Sequence, residues 1–438
     1  MSIIKLAILG GDPIRKKPFA LRKTVGAKEI AAVNEVMESG NISLFFGSPG
    51  DFFLGGPAVK KFEKKWAQKY GFKHCISTNS WTTGLMTAVG AVGVEPGDEV
   101  ICTPYTMSAS ATSILFYGGI PIFADIEDET FNLDPAKIEE KITARTKAIM
   151  VAHIFGHSAD MDGIIKVAQK HNLKIIEDGA QSPGAKYKDR YVGALADIGG
   201  FSFNYHKHIH TGEGGLIVTN DDALALRCQM IRNHGENAIE EFNLKDISNV
   251  IGANYRMTEL QAAMGQVQMD NVEGYVSHRN ELASHLSKRL GAFKGFTAPA
   301  IKPGCVHSFY VYAMKYDESV YGVPRDLIAR AISAEMPTPE NWEQEILVQG
   351  YSKPLYWSPV YQQKIALGKK GFPWNQNPTV KYEYPRGLCP TAERMHLKEV
   401  LYSPLIREAI TLEDIEDLAR AIEKVISGIV ELRDAKLK

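Results

Sequence analysis

A lysine among three histidines is the first feature of this sequence whose residue types could do chemistry. The segment reads FSFNYHKHIHTGEGG, residues 201–215. His206, His208 and His210 alternate, so in an extended segment they would face one side together, as metal ligands could. Alternate residues of one strand make a poor tetrahedral zinc site, and Glu213 is the only acidic neighbour. The histidines could equally be structural, and we predict no metal.

Lys207 offers a different chemistry in the same segment. It follows an apolar run and precedes TGEGG, where glycines allow the backbone to approach a ligand closely. A lysine held in such a place can lose its proton and form a Schiff base with a carbonyl. Pyridoxal phosphate (PLP) chemistry also needs an acid at the pyridine nitrogen, a phosphate cradle and a surface for the ring.

The sequence offers an acid and a cradle upstream of the lysine. Asp178, in IIEDGAQSPG, ends an apolar strand and could pair with a pyridinium, although aspartate is also a common helix cap. TNSWTTGL places hydroxyl residues at the start of a helix, whose free amides bind phosphate. Ser and Thr open many helices, so the order of cradle, acid and lysine along the chain carries more weight than any one of them.

The elements that must position these residues alternate from about residue 72. Apolar strands such as HCIST, VICTP, KAIMVAHIF and LKIIEDGA are separated by amphipathic helices, which predicts an α/β fold with a mostly parallel sheet. Ligands of such sheets bind at the carboxyl ends of the strands, where His153, Asp178 and Lys207 fall. MTELQAAMGQVQMDNVEGYVSHRNELASHLSKRL predicts one or two long helices. TLEDIEDLARAIEKVISGIVELRDAKL predicts a last helix with Thr411 as its N-cap.

Composition bounds the class of protein. The chain has 438 residues, 45 % of them hydrophobic, and a net charge of −1, which fits a large domain with a smaller companion and favours neither nucleic acid nor a membrane surface. No apolar run reaches the roughly 18 residues of a membrane span. At the start of the chain, the basic residues follow the apolar run, the wrong order for a secretory signal. Five scattered cysteines indicate reduced thiols, and we predict a cytoplasmic protein.

Several blocks, in order, resemble one known family. They are GGPAVKKFEKKWAQKYG, EPGDEVICTPYTMSASAT, RTKAIMVAHIFGHSADMDGI, IIEDGAQSPGAKYKDRYVGALADIGGFSF, the lysine segment with TGEGGLIVTND, and IGANYRMTELQAAMGQVQ. The chain resembles the PLP-dependent sugar aminotransferases of the DegT/StrS group, within the fold type I aminotransferases. The likeness runs from about residue 25 to residue 290 and returns weakly at the carboxyl end.

The resemblance implies a three-layer fold type I architecture with two domains. The large PLP-binding domain, with its mostly parallel sheet and an N-terminal arm, would span residues 1–290. A smaller α+β domain would span residues 291–438, with an aromatic-rich insert around residues 340–395.

The resemblance also implies roles for particular residues. Lys207 occupies the Schiff-base position, Asp178 the acid at the pyridine nitrogen, and Gln181 a polar position beside the ring oxygen. The residues implied for the phosphate cup are Ser202, Thr82 and the amide of Thr83. Asn254, in GANYRM, matches an asparagine that reaches the phosphate of a neighbouring subunit, which implies a homodimer with shared active sites.

The chain departs from the family pattern at two positions of the site and in the insert. The usual Ser-Gly-Thr of the cradle is Ser80-Trp81-Thr82 here, so Trp81 must turn outward or line the site. The ring-stacking residue is Met107, whose sulfur could contact a ring face, with Tyr105 two positions earlier. The insert could be a packed cover over the small domain, or a wall that selects the acceptor through Tyr356 or Trp357.

The reaction that the resemblance implies is transamination in amino-sugar biosynthesis, for a polysaccharide or an antibiotic. Glutamate or glutamine would donate the amino group, and Lys207 would move the proton as general base and acid. A keto-sugar, usually nucleotide-linked, or a keto-cyclitol would accept it. Two alternatives remain: a sugar dehydratase, since one branch of the family has histidine at the lysine position, and a cofactor-binding regulatory protein.

Overall fold

Strands and helices alternate along the chain in the order that the apolar pattern predicts. The computed structural model describes residues 5–435. The strands are β1 (His74–Thr78), β2 (Glu99–Cys102), β3 (Ile120–Phe123), β4 (Thr146–Ala152), β5 (Lys174–Asp178), β6 (Lys186–Tyr187), β7 (Arg190–Tyr191), β8 (Ile198–Ser202), β9 (Gly215–Thr219), β10 (Phe296–Thr297), β11 (Cys305–Val306), β12 (Tyr312–Tyr316), β13 (Val348–Gln349) and β14 (Val400–Ser403). The α-helices are α1 (Ala27–Ser39), α2 (Pro57–Tyr70), α3 (Trp81–Ala91), α4 (Ala109–Phe116), α5 (Pro135–Glu139), α6 (Met161–His171), α7 (Asp222–Arg232), α8 (Glu259–Gln268), α9 (Val272–Leu290), α10 (Arg325–Ala334), α11 (Pro359–Gln363), α12 (Pro390–Arg394), α13 (Leu412–Ser427) and α14 (Ile429–Asp434). None of the helices in the described range is long and apolar enough to cross a membrane.

The large sheet has the strand order β1-β9-β8-β5-β4-β2-β3. The pairs from β3 through β2, β4 and β5 to β8 are parallel, and β9 runs antiparallel to both β8 and β1. The predicted α/β class with a mostly parallel sheet is therefore confirmed. Because Cys102, Ala152, Asp178 and Ser202 end parallel strands, the loops that follow them meet at one edge of the sheet.

Helices cover both faces of this sheet, and their composition follows from where they lie. In α3 every residue from Gly84 to Ala91 is buried, because the helix packs between the sheet and the helices α4 and α7. The amphipathic α6 instead buries Met161, Ile164, Val167 and Ala168 on one side only. A helix that is covered on all sides buries nearly all its residues, whereas a helix at the surface of a three-layer fold is amphipathic and buries one side.

The C-terminal part has its own antiparallel sheet, in the order β10-β12-β14-β13. Its core also contains Leu6 and Phe19 of the N-terminal arm, residues 5–26, and the inner face of α9. The long predicted helical segment before it is two helices, α8 and α9. The division of the chain at residue 290 stays a prediction.

The last predicted helix begins as expected and ends earlier. Thr411 accepts a hydrogen bond from the amide of Asp414 and completes a capping box. Gly428 separates α13 from α14, so the predicted single helix is two. Lys436 and Leu437, at the end of the predicted segment, lie outside the described residues.

The later part of the aromatic insert packs against the large sheet, whereas β13, near its start, pairs with β14 of the small sheet. The ring of Phe123, on the edge strand β3, meets Tyr356, Tyr361 and Tyr384 at centroid distances of 5.6, 5.1 and 5.7 Å. The Tyr384 hydroxyl donates to the Pro121 carbonyl at 3.0 Å. The insert thus covers apolar surface and an unpaired backbone group at the edge of the sheet.

Candidate active site

One cavity, of about 200 Å³, lies at the carboxyl edge of the parallel strands. It brings together six of the predicted site residues: Thr82, Met107, Asp178, Gln181, Ser202 and Lys207. Thr83 and Asn254 do not line it. His153, Asp178 and Lys207, which the sequence places at strand ends, all line this cavity; the roles of the site residues stay predictions.

Lys207 enters this cavity from a turn that follows β8. Its side chain is buried, makes no hydrogen bond with the described residues, and holds its amine 4.5 Å from the ring centroid of Tyr310. Burial lowers the pKa of Lys207 to about 8, and the negative charge of Asp178 offsets only part of that effect. A lysine whose pKa is depressed in this way is a suitable nucleophile and proton carrier near neutral pH.

The three histidines diverge, because residues 203–211 form turns and no strand. His206 lines the cavity, and its ring lies 5.7 Å from that of Trp342. The Nε2 of His208 lies 2.8 Å from the Ser308 carbonyl, and that of His210 lies 2.8 Å from the Thr24 hydroxyl. Their separate partners leave them no common point for a metal, and the described part of the chain contains no other candidate cluster of metal ligands.

Asp178 is held by hydrogen bonds from three neutral donors and caps no helix. Its Oδ1 accepts from the indole Nε1 of Trp81 at 2.7 Å and from the Ala180 amide at 3.1 Å. Its Oδ2 accepts from the Ser110 hydroxyl at 2.6 Å. The residues after Asp178 form a turn, which excludes the alternative of a helix cap.

The predicted cradle lies at the start of α3, where the backbone amides differ in their hydrogen bonds. The Ser80 hydroxyl caps α3 by accepting from the Thr83 amide at 3.2 Å, so that amide is already engaged. The free donors at this helix end are the amides of Trp81 and Thr82, which have no acceptor within residues 5–435. An N-cap serine satisfies the third amide of its helix, and the Thr83 amide as a phosphate donor stays a prediction.

The two residues that depart from the family pattern, Trp81 and Met107, both line the cavity. Trp81 turns inward, is 4 % exposed and contributes to the cavity wall. Met107 lies at the mouth, and its sulfur accepts from the Ala109 amide at 3.0 Å. Tyr105 is fully buried and packs against Phe155 behind the cavity.

Aromatic residues from the second half of the chain contact the cavity wall. Trp342 and Tyr351 belong to the aromatic-rich insert, whereas Tyr310 was not identified from the sequence. The Gln181 amide donates to the Tyr351 hydroxyl at 2.8 Å, while Gln181 Oε1 accepts from the Phe155 amide at 2.7 Å. Tyr310 and Trp342 have ring centroids 6.2 Å apart, on the side of Lys207 and His206. Only the aromatic character of these segments was visible in the sequence.

Tyr356 and Trp357, the residues proposed from the sequence as an acceptor wall, do not line the cavity. Tyr356 is fully buried, and its hydroxyl donates to Glu393. Trp357 lies under the guanidinium of Arg386, 3.6 Å from the ring centroid to the Cζ. The insert contacts the cavity wall through Tyr351, whose hydroxyl accepts from the lining residue Gln181.

Asn254 lies outside the cavity of its own chain. It is exposed, in a loop whose backbone approaches the cradle, since its carbonyl accepts from the Asn79 side chain at 3.4 Å. Its predicted contact with a neighbouring subunit stays a prediction.

The family is decided by comparison with known proteins. The model of the DegT/DnrJ/EryC1/StrS aminotransferase family matches residues 24–377. The chain belongs to the DegT/DnrJ/EryC1/StrS aminotransferase family. Members of this family are PLP-dependent aminotransferases, so the predicted enzyme class and cofactor are confirmed.

Relatives in this family act on different acceptors. The chain is 39 % identical over 280 residues to GDP-perosamine synthase of Caulobacter vibrioides, covering 64 % of this chain and 74 % of that protein. It is 30 % identical over 438 residues to L-glutamine:2-deoxy-scyllo-inosose aminotransferase of Micromonospora echinospora, covering 98 % and 99 %. Among solved structures, DesI in the presence of its TDP-sugar product gives a TM-score of 0.78 at 25 % identity, covering 98 % of this chain and 97 % of that one.

The residues present in the cavity fit PLP. An unpartnered buried lysine amine, a buried carboxylate and two free helix amides lie around one space. The side-chain oxygen of Asn204, which also lines the cavity, is buried and has no hydrogen-bond partner within residues 5–435. These groups match an aldehyde, a pyridine nitrogen and a phosphate in charge and in hydrogen-bonding capacity.

Proposed function

We propose that this protein transfers the amino group of glutamate or glutamine to the ketone carbon of a keto-sugar, usually nucleotide-linked, or of a keto-cyclitol. The observation that carries the proposal is Lys207. It lies in one cavity with Asp178, and its pKa is lowered to about 8 by burial. A lysine that is partly neutral near physiological pH can both bond a carbonyl and move a proton.

The roles that we propose for the chain's residues follow from their positions. Bound PLP supplies the carbonyl carbon to which amines attach and a ring that accepts electrons. Lys207 Nζ takes the proton from the α-carbon of the donor in the first half-reaction. In the second half-reaction it delivers a proton to the acceptor carbon that receives the amino group. Asp178 holds a proton on the ring nitrogen, Gln181 lies beside the ring oxygen, and Met107 covers a ring face.

The phosphate would be bound at the start of α3. We propose the amides of Trp81 and Thr82 and the hydroxyls of Thr82 and Ser202 as its donors, because they lie at the cavity and two of them are free amides. A helix N-terminus favours such an anion through its dipole as well as through hydrogen bonds. Asn254 of a second subunit would add one more donor.

A sugar or cyclitol acceptor is supported by the relatives' names and by aromatic side chains that contact residues of the cavity wall. Two relatives are named for a GDP-linked amino sugar and for an inosose. Tyr310 and Trp342 pack against His206, and Tyr351 is hydrogen-bonded to Gln181, so these aromatic rings support the wall where we propose that the ring of the acceptor packs. Glutamate and glutamine are small and need no such surface.

A homodimer with shared active sites and a cytoplasmic location are part of the proposal. Ile251 is 85 % exposed and Ile247 58 %. Both precede Asn254 in the same loop segment, and exposed apolar side chains favour coverage by another subunit. The cysteines of the chain are free thiols, as expected in a reducing compartment.

The dehydratase and regulatory alternatives are less well supported. Lys207 lines the same cavity as Asp178, whereas the ring of His208 is hydrogen-bonded to the Ser308 carbonyl outside it. Burial, with the charge of Lys207, lowers the pKa of His206 to about 4, which makes it a weak base. A purely regulatory protein has no need of a lysine with a depressed pKa in its ligand cavity.

Transfer of labelled nitrogen tests the proposed function. The PLP-loaded protein is incubated with α-¹⁵N-glutamate or α-¹⁵N-glutamine, and then with a GDP-linked keto-sugar, a TDP-linked keto-sugar or 2-deoxy-scyllo-inosose. We expect release of the keto acid and a ¹⁵N-labelled amine on one acceptor by mass spectrometry, with neither product from Lys207→Ala. Loss of a hydroxyl from the acceptor would instead indicate a dehydratase, and no keto acid with either donor would reject the proposal.

A further inference from the structure

The indole of Trp81 lies inside the large domain, against the carboxylate that faces the cofactor site. Trp81 is the first residue of α3 and is 4 % exposed. Its Nε1 donates to Asp178 Oδ1 at 2.7 Å. The cradle and the acid, which come from different elements of the fold, are thus joined by one side chain.

The surrounding backbone leaves room for this ring. A Cβ at Gly84, on the next turn of α3, would lie 2.5 Å from Trp81 Cε3. A Cβ at Gly200, on β8, would lie 2.4 Å from Trp81 Cζ3, besides meeting the Leu216 carbonyl. Any side chain at either position would displace the indole, so the inward position of Trp81 is built into the helix and the sheet.

The hydrogen bond matters because Asp178 forms no ion pair with any described residue. Its donors are the Trp81 indole, the Ser110 hydroxyl and the Ala180 amide, at 2.7, 2.6 and 3.1 Å. A desolvated carboxylate depends on such donors to remain charged and oriented. Removing the indole N–H takes away one of the two short bonds.

We propose that Trp81 is a positioning residue. Its indole N–H fixes the orientation of the Asp178 carboxylate, so that Asp178 keeps the ring nitrogen of bound PLP protonated. Trp81 acts through Asp178 and couples the phosphate end of the site to its pyridine end. The inference rests on the proposed function, because it requires PLP to be bound with its ring nitrogen at Asp178.

Titration of the ring nitrogen tests this role without any turnover. Wild type, Trp81→Phe and Trp66→Phe are loaded with ring-¹⁵N-labelled PLP, and the ¹⁵N chemical shift is followed against pH. Trp66 is a matched control, since it is 1 % exposed and its Nε1 has no hydrogen-bond partner among the described residues. We expect the ring nitrogen to lose its proton about one pH unit lower in Trp81→Phe, because a loosened carboxylate stabilises the pyridinium less, and the Trp66→Phe protein to titrate like wild type.

Equal titration of the Trp81→Phe and Trp66→Phe proteins would overturn the inference and leave Trp81 as core packing. If Trp81→Phe does not fold or retain PLP, the hydrogen bond from Trp81 to Asp178 is tested instead through the indole N–H resonance of Trp81. Assigned by elimination from the variants of the other tryptophans, it should move upfield in Asp178→Ala apoprotein, and an unmoved resonance overturns the inference. Failure of wild type to bind PLP would reject the proposed function itself, whereas PLP binding with an unchanged titration in Trp81→Phe rejects only the role of Trp81.

Discussion

At the scale of single residues, the central feature is a lysine that the fold holds away from water. The pKa of Lys207 falls from 10.5 to about 8, chiefly because burial disfavours its charged form. The folded protein therefore gives up this proton at a lower pH than the unfolded chain. Between about pH 8 and 10.5 the unfolded state binds more protons, so the contribution of Lys207 to the free energy of unfolding rises with pH in that window.

This pH dependence of the free energy of unfolding leads to a prediction for the apoprotein. At pH 7 both states carry the proton, and the buried charge costs on the order of 1 to 3 kcal/mol. We expect Lys207→Met to be more stable than wild type at pH 7 in urea denaturation. At pH 10 the difference between their free energies of unfolding should be smaller by about 1 to 3 kcal/mol. Lys166→Met, at an exposed position, should show the same difference at both pH values. A difference for Lys207→Met that does not change with pH would contradict the lowered pKa.

At the scale of elements, the N-terminal arm holds the lysine turn in place. Arg22 donates to the backbone carbonyls of Lys207, of His208 at 2.8 Å and of Tyr205 at 3.0 Å. The same guanidinium pairs with Glu408 at 3.2 Å. Burial works to raise the pKa of Glu408, but Arg279 and Arg22 outweigh it and lower that pKa, so the carboxylate stays charged. One arginine thus ties the lysine turn to the C-terminal part of the chain.

Replacing Arg22 should therefore affect how Lys207 is presented. Lysine keeps the charge but loses the planar fork that reaches several carbonyls. We expect Arg22→Lys to slow the addition of PLP to the apoprotein, followed by absorbance, on the order of tenfold, because small misplacements of a reacting group are costly. Arg15→Lys is the control in the same arm, since Arg15 pairs with Asp414 and Asp417. Equal rates in the two variants would mean that Arg22 only stabilises the arm.

At the scale of the whole molecule, the single chain places Asn254 at the surface, near the cradle but outside the cavity. The exposed Ile251 and Ile247 nearby favour a partner subunit at this face. If Asn254 serves the partner's phosphate site, each active site needs two chains.

Hybrid dimers test this arrangement. Lys207→Ala and Asn254→Ala chains, co-expressed with different affinity tags, should form a hybrid in which one site has an intact Lys207 and an intact Asn254. We expect hybrids purified through both tags to transfer amino groups at about half the wild-type rate per dimer, since one site of two is complete. Both parent homodimers should be strongly impaired. A purified hybrid no more active than the Asn254→Ala parent would show that Asn254 does not act across a subunit boundary.

The amino-acid sequence alone specifies which elements form and which residues are suited to the chemistry. Alternating apolar strands and amphipathic helices predict a mostly parallel sheet, and the polar residues that end its strands must meet at one edge. His153, Asp178 and Lys207 could therefore be placed at one edge from local pattern, whatever the strand order, because the carboxyl ends of all parallel strands lie on the same side of the sheet.

Contacts that join distant parts of the chain depend on the folded arrangement and could not be predicted from the sequence. The inward turn of Trp81 depends on space left by Gly84 and Gly200, and the hold on Lys207 depends on Arg22, far away in the sequence. The insert lies on β3 because Phe123 there offers apolar surface at an open sheet edge. The local sequence pattern predicts periodicity and helix caps. The positions of Trp81, Arg22 and the insert depend instead on how side chains fit together and on which buried polar groups are hydrogen-bonded in the folded chain.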